Sequence, residues 1–121
     1  MCGIAGALWW NPSKAITTQT LQRMTDSIRH RGPDANGHYF WPNTATSDIS
    51  GRPNAATNQQ VNGVALGHRR LSIIDVAGSA QPLGNEDNSI QIVFNGEIYN
   101  YSELRVQLIN AGHKFRTEGD T

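Results

Sequence analysis

The residue best placed to do chemistry in this sequence is Cys2, which is the one cysteine in the chain of 121 residues. A lone cysteine is usually a small buried apolar residue, but its position next to Met1 suggests another role. A small side chain at position 2 permits removal of the initiator methionine, which leaves a thiol and a free α-amino group on the same residue. An α-amine has a reference pKa of about 7.7–8.0, so a substantial minority is unprotonated near neutrality and can accept the thiol proton. We therefore predict that Cys2 is an N-terminal catalytic nucleophile.

A second candidate for chemistry is the pair Asn95-Gly96, which interrupts an apolar run ending at Phe94. Attack of a thiolate on an amide creates an oxyanion, which needs hydrogen-bond donors about 3 Å away. Asn95 carries a side-chain NH₂ group, and a glycine leaves its backbone N–H unobstructed. The alternative is an ordinary Asn-Gly hairpin turn, which the residues alone favour.

An amino-acid substrate would also need its charges met, its carboxylate by an arginine and its ammonium group by a carboxylate. Arg69, Arg70 and Asp120 are available, and the residues alone do not choose between the two arginines. The four histidines lack the spacing of metal ligands, so we predict no metal site.

Composition limits the classes of partner. Ten basic and ten acidic side chains, with 37% hydrophobic residues, describe one soluble domain without a basic stripe for nucleic acid or anionic lipid. The apolar start lacks a cationic leader and is interrupted by Asn11-Pro12, so we expect neither a signal peptide nor a membrane span. A single cysteine suits a reducing compartment. The sequence therefore predicts a cytoplasmic protein with no nucleic-acid or membrane partner.

The hydrophobic pattern predicts mixed α+β architecture. Residues 2–9 are typical of a central strand buried on both faces, with Cys2 at its start. Thr17 or Thr18 is expected to cap a helix that ends near His30. The apolar face of this helix would contain Leu21, Met24 and Ile28.

The remaining elements are predicted in the same way. Gly32-Pro33-Asp34 and Asn36-Gly37 indicate turns, and polar residues 43–62 indicate an exposed loop. We expect strands over residues 39–41, 64–74 and 90–94, a further strand beginning within 113–117, and a helix opened by a capping box of Asn100 and Glu103 and ended by Gly112.

Five ordered motifs together resemble the N-terminal glutaminase domain of glutamine-dependent asparagine synthetases, a class II glutamine amidotransferase. They are Cys2-Gly3-Ile4-Ala5-Gly6, Arg29-His30-Arg31-Gly32-Pro33-Asp34, Gly67-His68-Arg69-Arg70-Leu71-Ser72-Ile73-Ile74-Asp75, Gln81-Pro82-Leu83 and Asn95-Gly96-Glu97-Ile98-Tyr99-Asn100. The motifs span nearly the whole chain.

The resemblance implies the fold of the N-terminal-nucleophile hydrolases, a four-layer αββα sandwich of two antiparallel sheets between helices. Residues 1–121 would be a partial domain, incomplete at its C-terminal end, with Met1 removed and residues 43–62 forming a tolerated surface insertion. The synthetase domain that follows in this family would be absent.

The resemblance also implies the site. By matching motif positions, the nucleophile is Cys2, the oxyanion donors are Asn95 and Gly96, and the substrate-binding residues are Arg70 for the carboxylate, Asp120 for the ammonium group and Glu97 for the pocket wall. The implied reaction hydrolyses glutamine to glutamate and ammonia through a cysteine thioester, and the ammonia serves ATP-dependent amidation of aspartate. No cofactor is expected in this domain, and ATP and magnesium would serve the ATP-pyrophosphatase domain of a longer chain. A homodimer is compatible with this picture. Two alternatives are a non-catalytic remnant and an amidotransferase with an acceptor other than aspartate.

Overall fold

The computed structural model describes residues 1–42, 62–71 and 80–121, and within these ranges the chain combines helices with antiparallel sheets. In chain order the elements are β1 (Gly3–Trp9), α1 (Thr18–Ser27), β2 (Ala35–Trp41), β3 (Gly63–Arg70), β4 (Leu83–Gly84), β5 (Gln91–Ile92) and α2 (Tyr101–Asn110). Short 3-10 turns lie at Pro12–Lys14 and Arg29–Arg31. The predicted α+β class is confirmed.

The central sheet has three antiparallel strands, with β3 between β1 and β2. Its register places Ile4 of β1 and Gly37 of β2 on either side of His68 in β3. Because successive residues of a strand point to opposite faces, the even-numbered residues of β1 and β3 share one face. The positions of Cys2, His68 and Arg70 therefore fall on the same face of the sheet.

Helix α1 covers the opposite face of this sheet. It begins after Thr17, whose Oγ1 accepts a hydrogen bond from the Thr20 N–H at 3.1 Å. Leu21 is fully buried and packs with Trp9 of β1 and Ala65 of β3. The predicted cap and apolar helix face are both confirmed.

This packing leads to a prediction for stability. Leu21→Ala is expected to lower the free energy of unfolding by about 2–5 kcal/mol, because it leaves a cavity between α1 and the sheet. Leu108→Ala in α2 is the matched control, since Leu108 is 40% exposed and its loss should cost about 1 kcal/mol or less. Urea unfolding followed by tryptophan fluorescence measures both values. Equal losses in the two variants would contradict this packing.

Strand β1 differs from its predicted environment. It was expected to be buried on both faces, but Ile4 is 46% and Leu8 is 59% exposed on the face opposite α1. Of the small residues that suggested two-sided burial, Gly3 instead permits the close approach of Ile28, which follows α1. A Cβ on Gly3 would lie 2.9 Å from Ile28 Cδ1. Two-sided burial is therefore wrong for the described residues.

Two local predictions are also wrong. Asn36-Gly37 lies within β2 rather than in a turn, and a side chain on Gly37 would overlap the Gln81 carbonyl. Asn100 precedes α2 as expected, but its side chain makes no cap hydrogen bond, so the capping box with Glu103 does not form.

The end of α2 matches its prediction. Gly112 has φ of +97°, in the left-handed region that favours glycine. Its N–H donates to the Ile109 carbonyl at 2.9 Å, and the His113 N–H donates to the Leu108 carbonyl at 3.0 Å. This pair of bonds is the Schellman motif that ends many helices.

Several predicted segments are shortened or lie outside the described residues. The strand predicted over 90–94 is limited to β5, and no strand occurs within 113–117. Most of the predicted loop over 43–62 and the end of the predicted strands over 64–74 fall in residues 43–61 and 72–79, outside the described ranges.

Candidate active site

A cavity of about 520 Å³ lies beside the end of the central sheet where β1 begins and β3 ends. A second cavity, of about 330 Å³, contains none of the predicted site residues. The first is lined by all six of them: Cys2, Arg70, Asn95, Gly96, Glu97 and Asp120. The fold therefore brings these separate parts of the chain together, while their chemical roles remain predictions.

Cys2 is half-buried at the start of β1. Its Sγ accepts a hydrogen bond from the Leu71 N–H at 3.4 Å, and its carbonyl oxygen accepts one from Arg31 Nε at 3.2 Å. Met1 is 77% exposed. The thiol is thus held against the end of β3.

Asn95 and Gly96 lie after β5 in irregular backbone that leads into α2. Because no strand follows the pair before α2, the hairpin-turn alternative does not hold. A Cβ on Gly96 would lie 2.8 Å from Cζ of Phe94, so glycine permits the Phe94 ring to pack against this backbone. The Phe94 N–H in turn donates to Gln81 Oε1 at 2.6 Å.

His68 also lines the cavity, although the sequence alone predicts no role for it. It is only 2% exposed, and its ring hydrogen-bonds the backbone carbonyl of Phe94. Within the described ranges its Nε2 has no hydrogen-bond partner. Burial lowers the pKa of His68, the nearby Arg70 charge lowers it further, and the Phe94 bond opposes both. The ring is therefore neutral near pH 7.

Opposite charges also line the cavity. Asp120 Oδ2 accepts a hydrogen bond from the Ile98 N–H at 2.8 Å, which ties the C-terminal segment to the backbone after Gly96. Arg70 enters from the end of β3, where its carbonyl oxygen accepts a hydrogen bond from the Asp34 N–H at 3.1 Å. A cation and carboxylates in one cavity suit a zwitterionic ligand.

Arg69 points the other way and does not line this cavity. It is 6% exposed. Its Nε donates to the Thr25 carbonyl at 3.2 Å, and its Nη2 pairs with Asp26 Oδ1 at 3.1 Å. Arg69 therefore joins β3 to α1, and of the two arginines only Arg70 faces the cavity.

The described residues contain no group of three or more side chains arranged to hold a metal ion. His38 Nε2 lies 3.0 Å from Thr25 Oγ1, and the pKa of His38 is lowered mainly by burial.

In the part of the chain that the structure describes, no helix has the length and apolar character needed to cross a bilayer.

Comparison with known proteins identifies similar sequences. The family model described as "Glutamine amidotransferase domain" matches residues 1–50 and 43–121. The chain is 38% identical to "Asparagine synthetase [glutamine-hydrolyzing] 1" of Bacillus subtilis (strain 168) over 123 aligned residues, which cover 100% of the chain and 16% of the relative. It is also 38% identical to "Asparagine synthetase [glutamine-hydrolyzing] 1" of Arabidopsis thaliana, covering 99% of the chain and 17% of the relative. The chain thus spans about a sixth of the length of these relatives. No solved structure gives a significant match.

Proposed function

Because the chain belongs to the glutamine amidotransferase domain family, we propose that it is the glutaminase part of an asparagine-synthetase-like amidotransferase. One observation carries the proposal: Cys2, the Asn-Gly pair and the charged side chains that such a reaction needs line a single cavity. The names of the similar proteins supply the substrate class, since they describe glutamine-hydrolysing enzymes.

The proposed reaction uses the thiol and the α-amine of Cys2 after Met1 is removed. The neutral amine takes the thiol proton, and Sγ bonds to the side-chain carbonyl carbon of glutamine. The resulting oxyanion accepts hydrogen bonds from Asn95 Nδ2 and the Gly96 N–H. The carbon–nitrogen bond then breaks as the amine returns its proton to the leaving nitrogen, which departs as ammonia. Water attacks the γ-glutamyl thioester by the same route, releasing glutamate and restoring the thiol.

Glutamine itself is recognised by charge in this proposal. The Arg70 guanidinium binds the α-carboxylate, where its fork of N–H groups can make two parallel hydrogen bonds. Asp120 binds the α-ammonium group, and Glu97 adds negative charge to the pocket wall. The Ile98 N–H occupies one oxygen of Asp120, so the carboxylate is oriented while its second oxygen remains available to the substrate.

The same proposal includes a four-layer arrangement of sheets and helices. The sheet face opposite α1 exposes Ile4, Leu8 and Trp41, the last of which is 52% exposed. A second antiparallel sheet on this face would remove that apolar surface from water. This supports a four-layer αββα sandwich whose further strands belong to a longer polypeptide. In that polypeptide, a separate domain using ATP and magnesium would transfer the ammonia to aspartate.

The role of the Cys2 α-amine can be tested by controlled exposure of the N-terminus. The complete polypeptide is made with a cleavable segment before Cys2, and release of glutamate and ammonia from glutamine is measured before and after cleavage. We expect activity only after cleavage, because the uncleaved protein has an amide in place of the basic amine. Equal activity in both forms would exclude the amine as the base, and a cleaved protein without activity would overturn the proposed function.

A further inference from the structure

The backbone of Phe94 is held by side chains from two other parts of the chain. Its N–H donates to Gln81 Oε1 at 2.6 Å, and its carbonyl oxygen accepts a hydrogen bond from the His68 ring. We infer that His68 and Gln81 are positioning residues, which hold the oxyanion donors of Asn95 and Gly96 in place by fixing the backbone of the preceding residue. This inference rests on the proposed glutaminase function.

The two bonds act directly on the start of the Asn95-Gly96 segment. The Phe94 carbonyl belongs to the planar peptide unit that includes the Asn95 N–H and Cα. If the direction of this carbonyl is fixed, the orientation of the peptide plane between Phe94 and Asn95 is fixed as well. Residues 93–98 contain no helix or strand, so sheet hydrogen bonds do not hold this segment in place. Side chains must supply the restraint instead.

Both side chains are supported by the central sheet. His68 is almost completely buried in β3. Gly37 is its cross-strand neighbour in β2, and it leaves space for the Gln81 carbonyl that a side chain would fill. The segment carrying Gln81 thus lies against the strand next to His68. Through Phe94, the proposed oxyanion donors are therefore linked to β3, the most buried of the described strands.

The neutral state of His68 suits this role. Its partner is a carbonyl oxygen, so one ring proton is sufficient and the ring needs no charge. A buried neutral imidazole with a fixed tautomer is also a rigid donor, because rotation of the ring would break its hydrogen bond. A neutral, buried ring held in this way suits a positioning role.

The experiment compares Gln81→Met with Gln81→Glu in the complete polypeptide. Methionine has a similar length but offers only a weak acceptor to the Phe94 N–H, whereas glutamate keeps an oxygen there. We expect kcat for glutamine hydrolysis to fall about 10- to 100-fold in Gln81→Met, as for a small misplacement of catalytic groups, with little change in KM. Gln81→Glu should recover a large part of the loss. Gln107→Met, on an exposed position of α2 that does not line the cavity, is the matched control.

A second measurement separates positioning from general damage to the fold. The aldehyde analogue of glutamine forms a tetrahedral adduct with the Cys2 thiol, and the adduct oxygen needs the same donors as the oxyanion. Its affinity should fall with kcat/KM in Gln81→Met, while inhibition by the product glutamate is unchanged. His68→Leu should act in the same direction, and His68→Asn, which keeps a hydrogen-bond donor in the side chain, should be less impaired.

The possible results separate failure of the proposed glutaminase function from failure of the positioning role. If the unsubstituted protein lacks glutaminase activity, the proposed function fails. If it is active and Gln81→Met keeps its kcat, or if Gln81→Met weakens glutamate and the aldehyde equally, the positioning role is overturned. Because Gln81 is only half-buried, this pair of variants provides the test even if the His68 variants do not fold.

Discussion

Replacing Cys2 with alanine is expected to reduce glutamine hydrolysis about 10⁴-fold or more in kcat, the scale seen when the attacking group of a covalent mechanism is removed. Cys2 is the only cysteine in the chain, so no other thiol of this chain can substitute for it. Cys2→Ser should retain a small part of the activity, because it keeps an N-terminal amine beside a weaker nucleophile. Release of glutamate and ammonia from glutamine measures all three proteins.

External ammonium provides the control for this prediction. If the complete protein amidates aspartate as proposed, added ammonium bypasses the glutaminase step and should support amidation equally in Cys2→Ala and in the unsubstituted protein. Loss of both activities would indicate damage to the fold rather than loss of the nucleophile. Glutamine hydrolysis that survives in Cys2→Ala would show that the nucleophile assignment is wrong.

Features governed by neighbouring residues could be predicted from the sequence. The cap at Thr17 depends on the N–H of Thr20, three residues away, and the stop at Gly112 depends on carbonyls of the preceding turn. The burial of Leu21 follows from helical spacing, because one face of an amphipathic helix must pack on the core. These signals are local, so a single sequence contains them.

Features set by distant contacts were not predictable in the same way. Asn36-Gly37 is a strong turn signal, yet both residues lie in β2, paired with β3, and Gly37 leaves space there for the Gln81 carbonyl. The exposure of Ile4 depends on which layers cover the sheet, and the apolar composition of β1 does not contain that information.

The residues of the candidate site were also predictable only in part. Composition left Arg69 and Arg70 equivalent, and the family resemblance selected Arg70. In the fold, Arg70 shares a sheet face with the position of Cys2 and lines the cavity, while Arg69 contacts α1; the binding role of Arg70 stays a prediction. His68 lies inside the Gly67–Asp75 motif, but its link to Phe94 is a hydrogen bond to backbone. Every residue has a backbone carbonyl, so the residue type at position 94 does not indicate that this bond forms.

The second large effect is expected at Asn95. Asn95→Ala should lower kcat for glutamine hydrolysis about 10²- to 10³-fold, because it removes one donor to the oxyanion. KM for glutamine should change little, since the oxyanion exists in the transition state and not in the bound substrate. Asn95→Asp should be impaired at least as much, because a carboxylate offers no donor and repels the developing negative charge.

Asn100→Ala is the matched control for Asn95→Ala. Asn100 precedes α2 without a side-chain cap bond and does not line the cavity, so the same substitution there should leave kcat close to its original value. Steady-state kinetics of glutamate release and the affinity of the aldehyde analogue test the three proteins together. A rise in KM with unchanged kcat in Asn95→Ala would mean that this side chain binds the substrate in its ground state. The oxyanion would then depend on other donors, because only an interaction strengthened in the transition state lowers the barrier to reaction.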